Sequence, residues 1–317
     1  MPDTPLVSIV IPCYNHGAYL EDALRSIGTP RARTEIVVVD DGSRDSTPDV
    51  IASFDTPNLF RSVRQPNAGL AAARNRGLRE SHGEYVIFLD ADDRLAPGAV
   101  DLGVAQLDQH PEAAFVFGRC LMMDPEGTLL DTPVRPRIVR DHYRELLRRN
   151  YIWMTGTVMF RRDALKRVGG FNLAVDASAD YDMYLHVARH YPIYDHGHVV
   201  AHYRKHDANM SGNASRMLRE TLAVLRNQRR FLEEDPASIA AFKEGLRNWQ
   251  EFYGAHLATE IRQAVRQRRL VDAAKKAAVL GRYHPRGLWH HARRKTARTV
   301  SGEAPENLPP PKHPEAP

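Results

Sequence analysis

The residues able to do chemistry in this chain fall in short acidic, amide and cationic clusters. Asp90-Ala91-Asp92-Asp93 places carboxylates at i and i+2 directly after an apolar run. Such a pair can project into a crevice and hold a hard divalent cation through oxygen, with open positions left for a diphosphate. The same residues equally make a solvated acidic turn in which Asp93 caps the next helix. Asp40-Asp41-Gly42-Ser43 gives a second carboxylate pair, suited to a base N–H or a ribose hydroxyl, or simply to an Asp-Gly turn. Asn67, Gly69, Arg74 and Asn75 surround the start of an Ala-rich stretch. There Arg74 can face a phosphate or a base and Gly69 allows close backbone approach, although a plain helix entry accounts for both. Asp180 and Asp182 open a helical stretch, where carboxylates suit the helix dipole and where one beside a bound nucleotide can act as a general base. Tyr203-Arg204-Lys205-His206 ends in an imidazole that can ligate a metal or face a phosphate, or it forms a solvated basic loop.

Those clusters need elements to hold them. Val7–Ile11, Glu35–Val39, Leu59–Val63, Tyr85–Leu89 and Ala114–Phe117 read as strands, the first ended by Pro12. Between them lie helical patterns at Ala18–Ile27 (stopped by Gly28), after Ser46 or Thr47 with Pro48 at an early position, at Leu70–Arg79 and at Pro97–Gln109. Strands alternating with helices predict an α/β fold with a parallel sheet, whose ligands sit beyond the carboxyl ends of the strands. The clusters Tyr14-Asn15-His16, Asp40–Ser43 and Asp90–Asp93 all lie there. Further on, Asp163–Val168 and Asp180–Tyr191 read as helices and Val199–Tyr203 as a strand. From Met217 to about Gly281 the pattern is helical, with an antiparallel pair turning near Arg268-Arg269.

The order of the motifs is more specific than any one of them. Pro12-Cys13-Tyr14-Asn15, Val39-Asp40-Asp41-Gly42-Ser43, Asn67-Ala68-Gly69 with Ala73-Arg74-Asn75, Asp90-Ala91-Asp92-Asp93, Gly169-Gly170-Phe171-Asn172, Ala179-Asp180-Tyr181-Asp182 and Tyr203-Arg204-Lys205-His206 follow one another. In this the chain resembles a family 2 glycosyltransferase of the inverting GT-A type, over about residues 6–212. The resemblance implies a Rossmann-like, mostly parallel sheet flanked by helices, a nucleotide-diphospho-sugar donor, a saccharide or lipid-linked acceptor, and Mg²⁺ or Mn²⁺. It implies Asp41 as reader of the nucleobase; Pro12, Tyr14, Asn15, Asn67, Gly69, Arg74 and Asp90 around the nucleotide; Asp92, Asp93 and His206 at the metal; and Asp180 as catalytic base. Ala179 stands where many relatives carry Glu. The Gln-x-x-Arg-Trp motif and the membrane spans of processive synthases are absent from the sequence, so transfer of a single sugar is expected, in cell-surface polysaccharide or glycolipid synthesis. Two alternatives stay open: a sugar-phosphate nucleotidyltransferase, although no Gly-rich triphosphate loop follows the first strand, and a catalytically degenerate scaffold, against which Asp92, Asp93 and Asp180 speak.

Composition sets the remaining bounds. The chain has 317 residues, 43% hydrophobic and 26% charged, which excludes a disordered or fibrous protein. Two cysteines exclude a disulfide framework and a Cys-rich zinc site, and suit a reducing compartment. Met1–Pro5 does not read as the start of a signal peptide, and no apolar run approaches about 18 residues. The net charge is +5, but residues 261–300 alone hold 12 Lys+Arg against Asp272. That is +11 locally and −6 for the rest of the chain. A basic segment of this kind suits an anionic membrane surface or a solvated helical face; nucleic acid is not expected as a partner. The expected organisation is a transferase domain over 1–212, a basic helical region over 213–300 and a Pro-rich disordered tail over 301–317. The expected location is cytoplasmic, with peripheral attachment to the inner face of the membrane as an open alternative.

Overall fold

The computed structural model describes residues 5–56, 58–232 and 234–285. The expected tail over 301–317 and the end of the basic segment, 286–300, lie outside the described residues. The chain falls into two compact units: residues up to 143 together with 150–207, and residues 144–149 together with 208 onward.

In the first unit the elements run β1 (Val7–Cys13), α1 (Gly17–Ser26), β2 (Thr34–Asp40), α2 (Thr47–Ser53), β3 (Leu59–Arg64), α3 (Leu70–Glu80) and β4 (Tyr85–Phe88). They continue with β5 (Arg94–Leu95), α4 (Ala99–Gln109), β6 (Phe115–Met123), α5 (His142–Arg148, which reaches into the second unit), β7 (Val158–Arg161), α6 (Arg162–Val168), α7 (Ala179–His190) and β8 (Ile193–Arg204). One eight-stranded sheet results, in the order β3-β2-β1-β4-β7-β6-β8-β5. Its first four strands are parallel. All seven positions of β1 and of β2 are buried, as befits strands covered on both faces. Beyond β4 the sheet is mixed: β7 runs antiparallel to both β4 and β6, while β6 and β8 are parallel.

Pro12 lies inside β1 rather than ending it. Val10 O accepts from Leu89 N, and Pro12 turns its nitrogen to the same side, where pairing with β4 has stopped at Val10. The missing donor therefore costs no ladder bond. Gly77 lets α3 lie against the sheet, because a Cβ there would come 2.2 Å from Val10 Cγ1. The short β5 pairs antiparallel with β8, Arg94 opposite His202 and Leu95 opposite Ala201. This pairing carries the Asp90–Asp93 loop to the carboxyl end of β8.

The second unit contains α8 (Ala214–Gln228), α9 (Pro236–Arg266) and α10 (Leu270–Tyr283). Asp235 caps α9 by accepting from Ala237 N and Ser238 N, with Pro236 in the first turn. Leu218, Leu222, Tyr253, Leu257 and Leu280 form its core. Helices α9 and α10 are antiparallel: Gln250 donates to Tyr283 O at one end and Lys276 meets Glu260 nearer the other. Among the described residues no helix is long and apolar enough to cross a membrane.

Candidate active site

Three groups of polar side chains meet at the carboxyl ends of the strands. The first is built on Arg74, which α3 buries to 3% exposure. Its Nη2 donates to Asp90 Oδ1 at 2.7 Å, to Asp90 Oδ2 at 3.0 Å and to Thr155 Oγ1 at 3.2 Å. The guanidinium lies 5.3 Å from the Phe171 ring centre. Asp180, in the first turn of α7, faces the same cation. Burial is the dominant influence on this carboxyl; Arg74 opposes it, and the result is a pKa pushed up to about 6. Tyr184 lies one turn further along α7, with its hydroxyl fully buried. Neither that hydroxyl nor Arg74 Nε has a hydrogen-bond partner among the described residues. Unpaired buried donors are costly, so their presence beside two carboxylates marks a place built for something other than packing.

The second group joins His16, Asp92 and His206, whose ligand atoms lie within 4.8 Å of one another. His206 Nε2 is 2.9 Å from Asp92 Oδ2. Against the cost of burial, His206 and His16 hold the Asp92 carboxyl below the usual range. The Tyr19 ring stacks on His206 at 5.0 Å, and the Arg204 guanidinium lies over that ring, also at 5.0 Å. Arg204 is itself buried; its Nε donates to Asp92 O at 2.8 Å, its Nη1 to Pro125 O at 2.6 Å, and its Nη2 pairs with Asp22. Arg204 thus fixes the backbone that carries Asp92. One carboxylate and two imidazoles are a donor set that fits Mn²⁺ and borderline metals better than Mg²⁺, which prefers oxygen throughout.

Asp93, expected among the metal ligands, stands outside this group. It is 1% exposed and accepts from Arg204 N at 2.8 Å. Burial, with Asp92 and Asp90 as neighbours, pushes its carboxyl well above the usual range. Asp93 is turned into the protein interior, where the backbone N–H of Arg204 holds it.

The third group forms a rim. Asp41 Oδ1 accepts from Gln65 Nε2 at 2.7 Å and Ala68 N at 3.0 Å, and its Oδ2 from Gly69 N at 2.9 Å. Gly42, at φ 82°, brings its Cα so close to Asn67 that a Cβ would meet that residue's N at 2.9 Å. Asn15, at φ 55°, donates its N–H to Ser43 Oγ and accepts from Arg44 N. Tyr14 is 45% exposed beside it, and Pro12 lies two residues before, in β1. The structure therefore brings Pro12, Tyr14, Asn15, Asp41, Asn67 and Gly69 into one rim, Arg74, Asp90 and Asp180 into one cluster, and Asp92 and His206 into another. His16, Thr155 and Tyr184 carry no role in the sequence reading. His16 stood in the polar cluster after the first strand, so a ligand search there would have found it; Thr155 and Tyr184 gave no signal.

Comparison with known proteins is consistent with this arrangement. The model of the family described as Glycosyl transferase family 2 matches residues 8–169, just over half of the chain. A chondroitin synthase of Pasteurella multocida (strain Pm70) is 30% identical over 184 residues, covering 57% of this chain and 18% of the synthase. The putative teichuronic acid biosynthesis glycosyltransferase TuaG of Bacillus subtilis (strain 168) is 32% identical over 130 residues, covering 40% of this chain and 51% of TuaG. The chain thus spans under a fifth of the synthase and about half of TuaG. Among solved structures, the mannosyltransferase PcManGT from Pyrobaculum calidifontis in complex with GDP-Man and Mn²⁺ superposes with a TM-score of 0.60. It is 21% identical, with 96% of this chain and 89% of that one covered, so the likeness is one of fold: the GT-A arrangement with added C-terminal helices.

Proposed function

Because the chain belongs to glycosyl transferase family 2, we propose that it moves one sugar at a time from a nucleoside-diphospho-sugar to an acceptor hydroxyl, with inversion at the anomeric carbon and dependence on a divalent cation. The observation that carries this reading is the placement of Asp180, a partly open carboxyl with pKa about 6, beside the Arg74–Asp90 pair at the same sheet end as the His16–Asp92–His206 group. A carboxyl of that pKa is ionised at neutral pH yet basic enough to take a proton from a hydroxyl. Arg74 neutralises Asp90 and tempers Asp180, so the two carboxylates coexist. Asp180 removes the acceptor proton, and the oxygen attacks C1 from the face opposite the leaving diphosphate. One base suffices for this displacement, unlike the paired carboxylates of glycosidases. His16, Asp92 and His206 would hold the cation, which when bound would neutralise charge on the leaving diphosphate. Asp41 and the rim from Pro12 to Asn15 and Asn67 to Gly69 receive the nucleoside, with the backbone close at Gly69. The acceptor is a saccharide or a lipid-linked glycan; the relatives named for chondroitin and teichuronic acid support polysaccharide synthesis as the setting.

The test is nucleoside diphosphate release from a panel of nucleotide sugars, with Mn²⁺ or with chelator, with and without acceptor glycans. Release with Mn²⁺ that chelator abolishes is expected. Undiminished release in chelator would remove the metal from the reading. Pyrophosphate release from a nucleoside triphosphate and a sugar 1-phosphate would favour the nucleotidyltransferase alternative instead.

A further inference from the structure

We propose that the tip of the α9–α10 hairpin is a docking surface for anionic phospholipid. Seven consecutive residues at this turn are exposed, Val265 to Val271. Three of them are apolar: Val265 at 50%, Leu270 at 64% and Val271 at 71% exposure. A helical hairpin ordinarily ends in polar residues, and three large apolar side chains at one solvent-facing turn mark a contact surface. Arg262, Arg266, Arg268 and Arg269 surround them, and Lys275 follows on the outer face of α10. The sole acid between residues 262 and 275 is Asp272, which Arg269 and Lys276 already engage. Arg268 takes the turn at φ 59°, and the hairpin closes within three residues.

The faces of the two helices explain why the tip is open. Leu257 and Ala264 of α9 and Ala273 and Leu280 of α10 point inward and are buried. Val265 lies one residue after Ala264 and Val271 two residues before Ala273, steps that turn both side chains away from the inward positions. The apolar residues at the tip are therefore surplus to the hairpin's own core. Apolar side chains that can enter the headgroup region, ringed by arginines that can meet lipid phosphate, are the two components of interfacial binding. The charge selects the partner: an uncharged or cationic surface would gain nothing from four arginines. The location also deepens the broader basic character of residues 261–300, because it assigns the apolar contact to particular residues. It is independent of the donor chemistry proposed above.

The experiment is flotation of the full chain with vesicles of phosphatidylcholine alone and with phosphatidylglycerol added to about one third. Three chains are compared: wild type, Leu270→Glu/Val271→Glu, and Arg268→Gln/Arg269→Gln. Wild type should float with the anionic vesicles, less at high salt, and stay down with neutral ones. Removing two cations should weaken partitioning about 30-fold, and the acidic pair at least as much. Circular dichroism and nucleotide-sugar hydrolysis, both expected unchanged in the variants, show that loss of flotation is not loss of fold or of the catalytic reading. Equal flotation of all three chains would overturn the assignment and move any binding to residues outside the tip. No flotation of wild type would overturn it too. A dimer of the wild type that the Leu270→Glu/Val271→Glu change disperses would give the surface to a second copy of the chain.

Discussion

Replacing Asp180 with Asn separates the cost of this residue to the fold from its use in the reaction. Its carboxyl titrates at about 6 in the folded chain, against 3.8 as the ordinary value. Between those two values the native state binds more protons than the unfolded state, so stability falls as pH rises through that window. Fully ionised, the group costs the fold about 3 kcal/mol, at about 1.4 kcal/mol for each pH unit of the gap. The Asp180→Asn variant keeps the shape and removes the charge. In urea unfolding without metal or nucleotide it should therefore be more stable than wild type by about 3 kcal/mol at pH 8 and by only about 0.5 kcal/mol at pH 4. Its turnover should collapse, while donor affinity by calorimetry stays near that of wild type. Wild-type turnover should rise with pH through about 6. A variant that is no more stable at pH 8 would refute the burial argument. A variant that still turns over would remove Asp180 from the role of base, whatever its stability.

Two other expectations follow from the geometry. His16→Ala and His206→Ala should each weaken Mn²⁺ binding about 10- to 100-fold by isothermal titration, with secondary structure unchanged; unaltered affinity in both would dissolve the proposed ligand group. Gly77→Ala should lower the urea midpoint by the equivalent of about 1–3 kcal/mol, because its Cβ would press on Val10 Cγ1 with Val39 close behind; a neutral or stabilising change would show that α3 can move off the sheet.

The parallel half of the fold is legible in the sequence for a simple reason. β1 and β2 are buried on both faces, so they are written as unbroken apolar runs, and α1 and α3 are bounded by Gly28 and Gly69 at positive φ. The turn at Arg268-Arg269 is likewise a local signal, whereas the start of α9 at Asp235 and Pro236 is hidden in what reads as one helical stretch. The mixed half is not legible. β5 has two residues and β7 four, too few for any period to appear, and both are strands because neighbours distant in sequence pair with them. The same non-local cause hides Thr155, which reaches Arg74 across 81 positions.

The acidic loop shows how far a motif can be read as a unit. Asp90, Asp92 and Asp93 crowd three carboxyl groups into four residues, and left together in a buried place they could not all ionise. The fold separates them by giving each a different hydrogen-bond partner. Asp90 pairs with Arg74, Asp92 meets His206, and Asp93 receives the backbone N–H of Arg204. These partners come from α3, from the loop after β8 and from β8 itself, so no local pattern could distribute them. The consequence is chemical. Asp90 lies against Arg74, which also faces Asp180; Asp92 is held low beside the two imidazoles; and Asp93 is driven toward the neutral form as part of the frame. Spacing alone presents three equivalent oxygen donors; the structure makes them three different groups, only one of which joins the imidazoles.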